Sequence, residues 1–157
     1  MSIISKLNSS PIWLSFFYFL LFFIISALCY AITPETLKIQ ISAAFYLPGF
    51  VLIVLGFCIR YYAFKELLKF NKSVRSSSIP IRLIIAGVYK YSRNPAYLGV
   101  ILMLVGSFFL YPSLTIGAIA IIFFIYLNLQ VRREENTLSK KFRRAYSEYK
   151  KKTQIWV

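Results

Sequence analysis

The residues that could do chemistry in this chain fall into two short segments. One is 87–99, which reads Gly-Val-Tyr-Lys-Tyr-Ser-Arg-Asn-Pro-Ala-Tyr-Leu-Gly, and the other contains the neighbouring acids Glu134 and Glu135. The 157 residues include five acidic side chains, all of them Glu, and no His. A Ser-His-Asp triad, a His-ligated zinc site and a histidine general base are therefore excluded, and no metal is expected.

The first segment has the sequence features of a helix beginning. Asn94 is a favourable N-cap residue, and Pro95 suits the first helical position. Free backbone N–H groups and the positive end of the helix dipole would form a site for an anion, with Arg93 beside it. The alternative is that Asn94 only caps the helix while Arg93 extends to a lipid phosphate.

The second segment lies on an amphipathic helix that the sequence predicts over 131–150. Its apolar face contains Val131, Leu138, Phe142, Ala145, Tyr146 and Tyr149. Glu135 projects near the middle of that face and Glu134 at its edge. A carboxylate on a buried face must have a partner or become neutral. The partner could be Arg93 or Arg82 in a salt bridge, or it could be a cationic group of a ligand.

Together, the two segments offer a site for an anion and a site for a cation. A zwitterionic ligand, such as the head group of an amino acid, would fit both. S-adenosylmethionine has such a head group, although the physical argument does not single it out.

The elements that must position these residues are membrane helices. The chain is 59% apolar and only 15% charged, which is too apolar for a soluble domain of this size. Its formal net charge is +14. The basic residues are placed to face an anionic membrane surface and anionic ligands, so we expect membrane lipids as partners and no nucleic acid.

The hydropathy pattern predicts one all-α integral membrane domain over 1–157. We expect four transmembrane helices at the positions about 12–32, 43–64, 95–110 and 113–130. The last two form a tight hairpin, because Tyr111-Pro112-Ser113 interrupts an uncharged run that is too long for one span. A signal peptide is the competing interpretation of the first apolar run.

The distribution of Lys and Arg predicts the orientation. Eight basic residues lie in 60–93 and nine in the tail from 131, and four spans place both segments on the same side as the N-terminus. The positive-inside rule makes this side cytoplasmic. The connector 65–94, the amphipathic helix 131–150 and both termini are then cytoplasmic, and a bacterial inner membrane is the expected location.

Small residues recur every seven positions in the second and third predicted helices, at Gly49, Gly56 and Ala63 and at Gly99 and Gly106. Seven residues return to nearly the same helix face. These stripes predict close helix packing, although glycine is also common in membrane helices generally.

Segment 87–99, the apolar hairpin and Glu134-Glu135-x-x-Leu138…Phe142…Tyr146-x-x-Tyr149 resemble the isoprenylcysteine carboxyl methyltransferases and the related phospholipid methyltransferases. The resemblance covers about residues 80–150. It implies that S-adenosylmethionine binds between the third and fourth spans and the tail.

The resemblance also implies roles for individual residues. Those expected to line or contact the cofactor are Ile81, Arg82, Leu83, Ile84, Tyr89, Asn94, Pro95, Ala96 and Tyr97. Glu134 is expected to hold the cofactor's ammonium group, while Glu135 and Arg93 are expected to support catalysis. Gln130 takes the position of an Arg that contacts substrate in the carboxyl methyltransferases.

The implied function is methyl transfer from S-adenosylmethionine to a lipophilic small-molecule or lipidated acceptor. Within this function, the resemblance favours an enzyme like the isoprenylcysteine carboxyl methyltransferases. Methylation of a phospholipid amine is an alternative. Two further alternatives are a sterol-reductase-like enzyme that uses a nicotinamide cofactor and a membrane scaffold without catalytic activity.

Overall fold

The computed structural model describes residues 11–70 and 83–156, and in these ranges the regular structure is helical. The long helices are α1 (Pro11–Ile32), α2 (Tyr46–Phe70), α3 (Pro95–Leu110) and α4 (Leu114–Lys152). Short 3₁₀ turns occur at Glu35–Leu37, Ala43–Phe45 and Gly87–Lys90. The all-α expectation is therefore confirmed for the described residues.

Two helices are long and apolar enough to cross a membrane, at Ala43–Lys69 and within Leu114–Lys152. The shorter apolar helices are Phe23–Ile32 and Pro95–Leu110. Many large apolar side chains on α1, α2 and α4 are exposed, as expected when the surrounding medium is lipid. The number of spans and their orientation stay predictions.

The turn between α3 and α4 forms the predicted hairpin. Ser113 is the N-cap of α4, and its hydroxyl accepts a hydrogen bond from the backbone N–H of Ile116 at 3.2 Å. The Pro112 carbonyl accepts another at 2.9 Å from Ile39, which lies in the α1–α2 connection. This turn lies at the far end of α3 from Asn94 and Pro95.

Helices α2 and α3 pack through the glycines that the sequence singled out. A Cβ atom added to Gly99 would lie 2.5 Å from the Gly56 carbonyl oxygen, and one added to Gly106 would lie 2.6 Å from the Gly49 oxygen. The two pairs are seven residues apart on each antiparallel helix, so one register aligns both. The packing interpretation is confirmed, and it holds the beginning of α3 against the second half of α2.

Helix α4 bends sharply at Arg143, where φ is 40° and ψ is −111°. The prediction of one continuous amphipathic helix over 131–150 is therefore wrong at this position. Tyr146 donates a hydrogen bond to Glu135 Oε1 at 3.1 Å, although an unbroken helix would separate these residues by about 16 Å. The bend also leaves Ala145 exposed, outside the buried face to which the sequence assigned it.

Candidate functional site

The site is centred where the first turn of α3 meets the middle of α4. The Tyr97 hydroxyl donates a hydrogen bond to Glu134 Oε1 at 2.5 Å. Pro95 fixes the helix start at the position that brings Tyr97 to this surface. The hairpin then returns the chain, so that residues distant in sequence face each other.

Among the described residues, no Lys or Arg forms an ion pair with the Glu134 carboxylate. Burial raises the pKa of its carboxyl group, and the hydrogen bond from Tyr97 partly offsets that rise. Although much of the residue is exposed, the carboxylate has lost part of its hydration. A cationic ligand group would compensate for that loss.

Glu135 is held differently, because Arg93 neutralises it. Arg93 Nε lies 2.8 Å from Glu135 Oε1, with side chains only 9% and 14% exposed. Arg93 Nη1 also donates to the carbonyl oxygens of Lys150 and Thr153, at 3.3 and 3.2 Å. Of the partners considered for Glu135, the structure therefore has the salt bridge with Arg93. The same guanidinium group also fastens the loop before α3 to the end of α4.

The tail after the bend is fastened over the loop that precedes α3. Tyr149 donates to the Tyr89 carbonyl at 2.6 Å, and Ser92 donates to the Ile155 carbonyl at 2.9 Å. Burial raises the pKa of Tyr149 to about 12, so its hydroxyl remains a donor at neutral pH. The loop, the first turn of α3 and the tail thus form one connected unit.

Asn94 occupies the predicted N-cap position, but its side chain makes no capping hydrogen bond. Instead, its backbone carbonyl accepts from the N–H groups of Tyr97 and Leu98. Asn94 is only 7% exposed, and its side-chain nitrogen has no hydrogen-bond partner among the described residues. A buried donor without a partner is unusual in a folded protein and can mark a position where a ligand binds.

Two charged residues on α2 approach the same region, and the sequence analysis missed them. Arg60 Nη1 donates to the Ala96 carbonyl at 3.2 Å. Glu66 packs against Gly87, whose φ is 59° and whose missing Cβ would lie 2.8 Å from Glu66 Cγ. Both residues lie close in sequence to the small-residue stripe of α2. Since that stripe faces α3, their position could have indicated that they approach the beginning of α3.

The other predicted site residues are distributed around this centre. Ile81 and Arg82 lie outside the described residues. Ile84 and Pro95 are buried, while Leu83, Tyr89 and Ala96 are half-buried. Gln130 is also half-buried and precedes Glu134 by about one helical turn. Tyr97 contacts Glu134 directly and Asn94 lies three residues before Tyr97, whereas Arg93 and Glu135 form the adjacent salt bridge.

This arrangement belongs to a membrane-embedded helical protein with a polar site where the first turn of α3 meets the middle of α4. Residues 44–145 match the family model described as phospholipid methyltransferase, and the chain is a member of that family. No curated protein and no solved structure gives a significant match. The matched region includes α2, α3 and most of α4, but not α1. The family consists of membrane methyltransferases that act on lipid-like substrates.

Proposed function

We propose that this protein transfers a methyl group from S-adenosylmethionine to a lipophilic acceptor at the membrane surface. Family membership supports methyl transfer. The observation that carries the proposal is a pair of polar groups one helical turn apart at the beginning of α3. One is the Asn94 side-chain nitrogen, which has no partner among the described residues, and the other is the Tyr97–Glu134 hydrogen bond. A zwitterionic head group needs a donor and a carboxylate in such an arrangement.

The residues present fit S-adenosylmethionine. Glu134 would hold the ammonium group, since its carboxylate is partly desolvated and lacks a basic partner among the described ion pairs. Asn94 would donate to the carboxylate, since its amide nitrogen is buried and has no partner in the part of the chain that the structure describes. When bound, S-adenosylmethionine supplies a sulfonium methyl group that is already activated toward nucleophiles.

The protein's own contribution is alignment and exclusion of water. Tyr97 orients the Glu134 carboxylate through the 2.5 Å hydrogen bond. The Arg93–Glu135 pair and the Tyr149 hydrogen bond hold the tail over the loop 89–93. We propose that Arg93 and Glu135 act in this way, as positioning residues. A lipophilic acceptor would enter sideways between the helices.

The first candidate acceptor is a carboxylate, as in the isoprenylcysteine carboxyl methyltransferases. A carboxylate is a nucleophile in its ionised form and needs no general base. This suits a site whose tyrosine hydroxyl Tyr97 is already engaged as a donor to Glu134.

The second candidate acceptor is the amine of a phospholipid. It is favoured by the description of the matching family. An amine must lose a proton before or during transfer, and a carboxylate near the acceptor can receive it.

Two measurements test the proposal. Calorimetry on the purified protein should detect binding of S-adenosylmethionine, and membranes containing the protein should incorporate labelled methyl groups into the lipid fraction. Base treatment then distinguishes the acceptors, because methyl esters release methanol whereas methylamines keep the label. Absence of both binding and incorporation would contradict the proposal.

A further inference from the structure

A cavity lies apart from the polar site, among α1, α3 and α4. Its volume is about 200 Å³. Its walls include Ile25 and Cys29 from α1, Leu104 and Ser107 from α3, and Ala120 and Phe123 from α4. A cavity of about 150 Å³ with walls of this kind holds benzene. This one is therefore large enough for a segment of one hydrocarbon chain and too small for a whole lipid.

One of the wall residues, Ser107, carries a hydroxyl group. Ser107 is 1% exposed, and its hydroxyl oxygen has no hydrogen-bond partner among the described residues. Buried hydroxyls are normally paired. The accessible surface of Ser107 is close to zero, so the wall that an entering chain would meet is almost entirely apolar.

The position of the cavity relates it to the polar site. Ser107 follows Tyr97 by ten residues on α3, and Phe123 precedes Glu134 by eleven on α4. Along the axes of both helices, the cavity therefore lies about 15 Å from the polar site. A molecule whose reactive group lies beside Tyr97 and Glu134 would have its apolar chain at this depth.

We propose that this cavity binds the hydrocarbon chain of the methyl acceptor and so selects acceptors by the shape of the chain. The inference rests on the proposed function. Because α1 lies outside the matched residues 44–145, its part of the wall is a feature of this chain beyond the family match. The bilayer is as apolar as the cavity, so the cavity contributes orientation of the acceptor more than affinity.

The test compares a substitution that fills the cavity with a matched substitution outside it. Ala120→Phe places a ring in the cavity, whereas Ala118→Phe places the same ring on the exposed side of α4, two residues away. We expect Ala120→Phe to lower methyl incorporation into membrane lipids by about tenfold or more, through misalignment of the acceptor. Ala118→Phe should behave as the wild type. Both variants should bind S-adenosylmethionine with unchanged affinity in calorimetry.

A photoreactive probe locates the chain directly. Palmitate with a terminal diazirine should label the cavity walls of the wild type and of Ala118→Phe, as mapped by peptide mass spectrometry, but not those of Ala120→Phe. If Ala120→Phe does not fold, Cys29→Phe fills the cavity from α1 instead and should give the same result.

The outcomes separate this inference from the proposed function. Binding of S-adenosylmethionine and methyl incorporation, with no labelling of the cavity in the wild type, would overturn the cavity inference alone. Equal incorporation by the two phenylalanine variants would also overturn it. Labelling of the cavity without any binding of S-adenosylmethionine would leave a chain-binding cavity but contradict its assignment to a methyl acceptor.

Discussion

The Tyr97 hydroxyl donates a 2.5 Å hydrogen bond to Glu134 Oε1, and the two residues are 37 positions apart in the chain. This bond joins the first turn of α3 to the middle of α4 at the end of the hairpin opposite its turn. It holds a partly desolvated carboxylate in a fixed orientation. The predictions that follow depend on this bond and on the contacts that support it.

Removing the Glu134 carboxylate should weaken ligand binding. We expect Glu134→Gln to lower the affinity for S-adenosylmethionine by about tenfold or more, because a charge-assisted contact contributes about 1.5–3 kcal/mol. Calorimetry measures the change. Glu148→Gln is the control, since Glu148 pairs with Arg144 and both side chains are largely exposed. Equal affinities in the two variants would refute the role of Glu134.

The affinity should also depend on pH. The pKa of Glu134 is raised, so its carboxylate takes up a proton at a higher pH than an ordinary Glu, whose pKa is about 4.3. Binding of an ammonium group requires the charged form. The affinity of the wild type should therefore be full at neutral pH and fall as the pH is lowered toward the raised pKa.

Tyr97→Phe tests the cause of that pH dependence. The hydrogen bond from Tyr97 lowers the pKa of Glu134, so its loss should raise the pKa further. We expect the fall in affinity to begin at a higher pH in Tyr97→Phe than in the wild type, and to be absent in Glu134→Gln. A Tyr97→Phe profile shifted to lower pH would contradict the assigned hydrogen bond.

The Arg93–Glu135 pair should contribute mainly to stability. Removing one partner leaves an unpaired charge in a largely buried place, which typically destabilises by about 3–5 kcal/mol. We expect Arg93→Ala to lower the midpoint of thermal unfolding strongly and Arg93→Ala with Glu135→Gln to recover part of the loss. Arg144→Ala, at an exposed pair, should change it little.

Ligand binding distinguishes a positioning role for Arg93 from contact with the ligand. If Arg93 only positions the tail, adding S-adenosylmethionine should raise the unfolding midpoint of Arg93→Ala as it does for the wild type. Loss of that shift, with the protein still folded, would assign Arg93 to the binding site.

The contact between α2 and α3 should tolerate no added side chain. Gly99→Ala places a Cβ 2.5 Å from a backbone oxygen of α2, so the helices must separate. We expect a destabilisation of about 1–3 kcal/mol, measured by thermal unfolding. Gly117→Ala is the control, because its nearest neighbour is the Phe108 ring at 3.3 Å, which can move. Equal effects of both substitutions would exclude this packing contact.

Several structural features could be predicted because they depend on local chemistry. Pro95 marks the beginning of α3, where its fixed φ is favourable, and the break at Tyr111-Pro112-Ser113 separates α3 from α4. The seven-residue spacing of the glycines identified the packed faces of α2 and α3. The motif residues identified the membrane methyltransferase family, which the family match confirms.

Other features were missed because they depend on long-range contacts. No proline or glycine near Arg143 indicates the bend in the sequence, and the bend changes which tail residues are buried. Asn94 was expected to cap α3, but its side chain makes no capping bond, and its amide nitrogen has no partner within residues 11–70 and 83–156. Arg60 and Glu66 are ordinary basic and acidic residues in the sequence, and only the packing of α2 brings them to the site.

The sequence by itself determined the helical, membrane-compatible character of this protein, the ends of its hairpin and the residue types available for chemistry. Those properties follow from local conformational preference and hydropathy, which act over a few turns of chain. Only the tertiary structure decided that Glu135 pairs with Arg93 while Glu134 pairs with Tyr97. Neighbouring carboxylates have almost the same local sequence, and their different partners follow from which part of the chain each one faces after folding: Glu134 faces the first turn of α3, and Glu135 faces Arg93 in the loop before it.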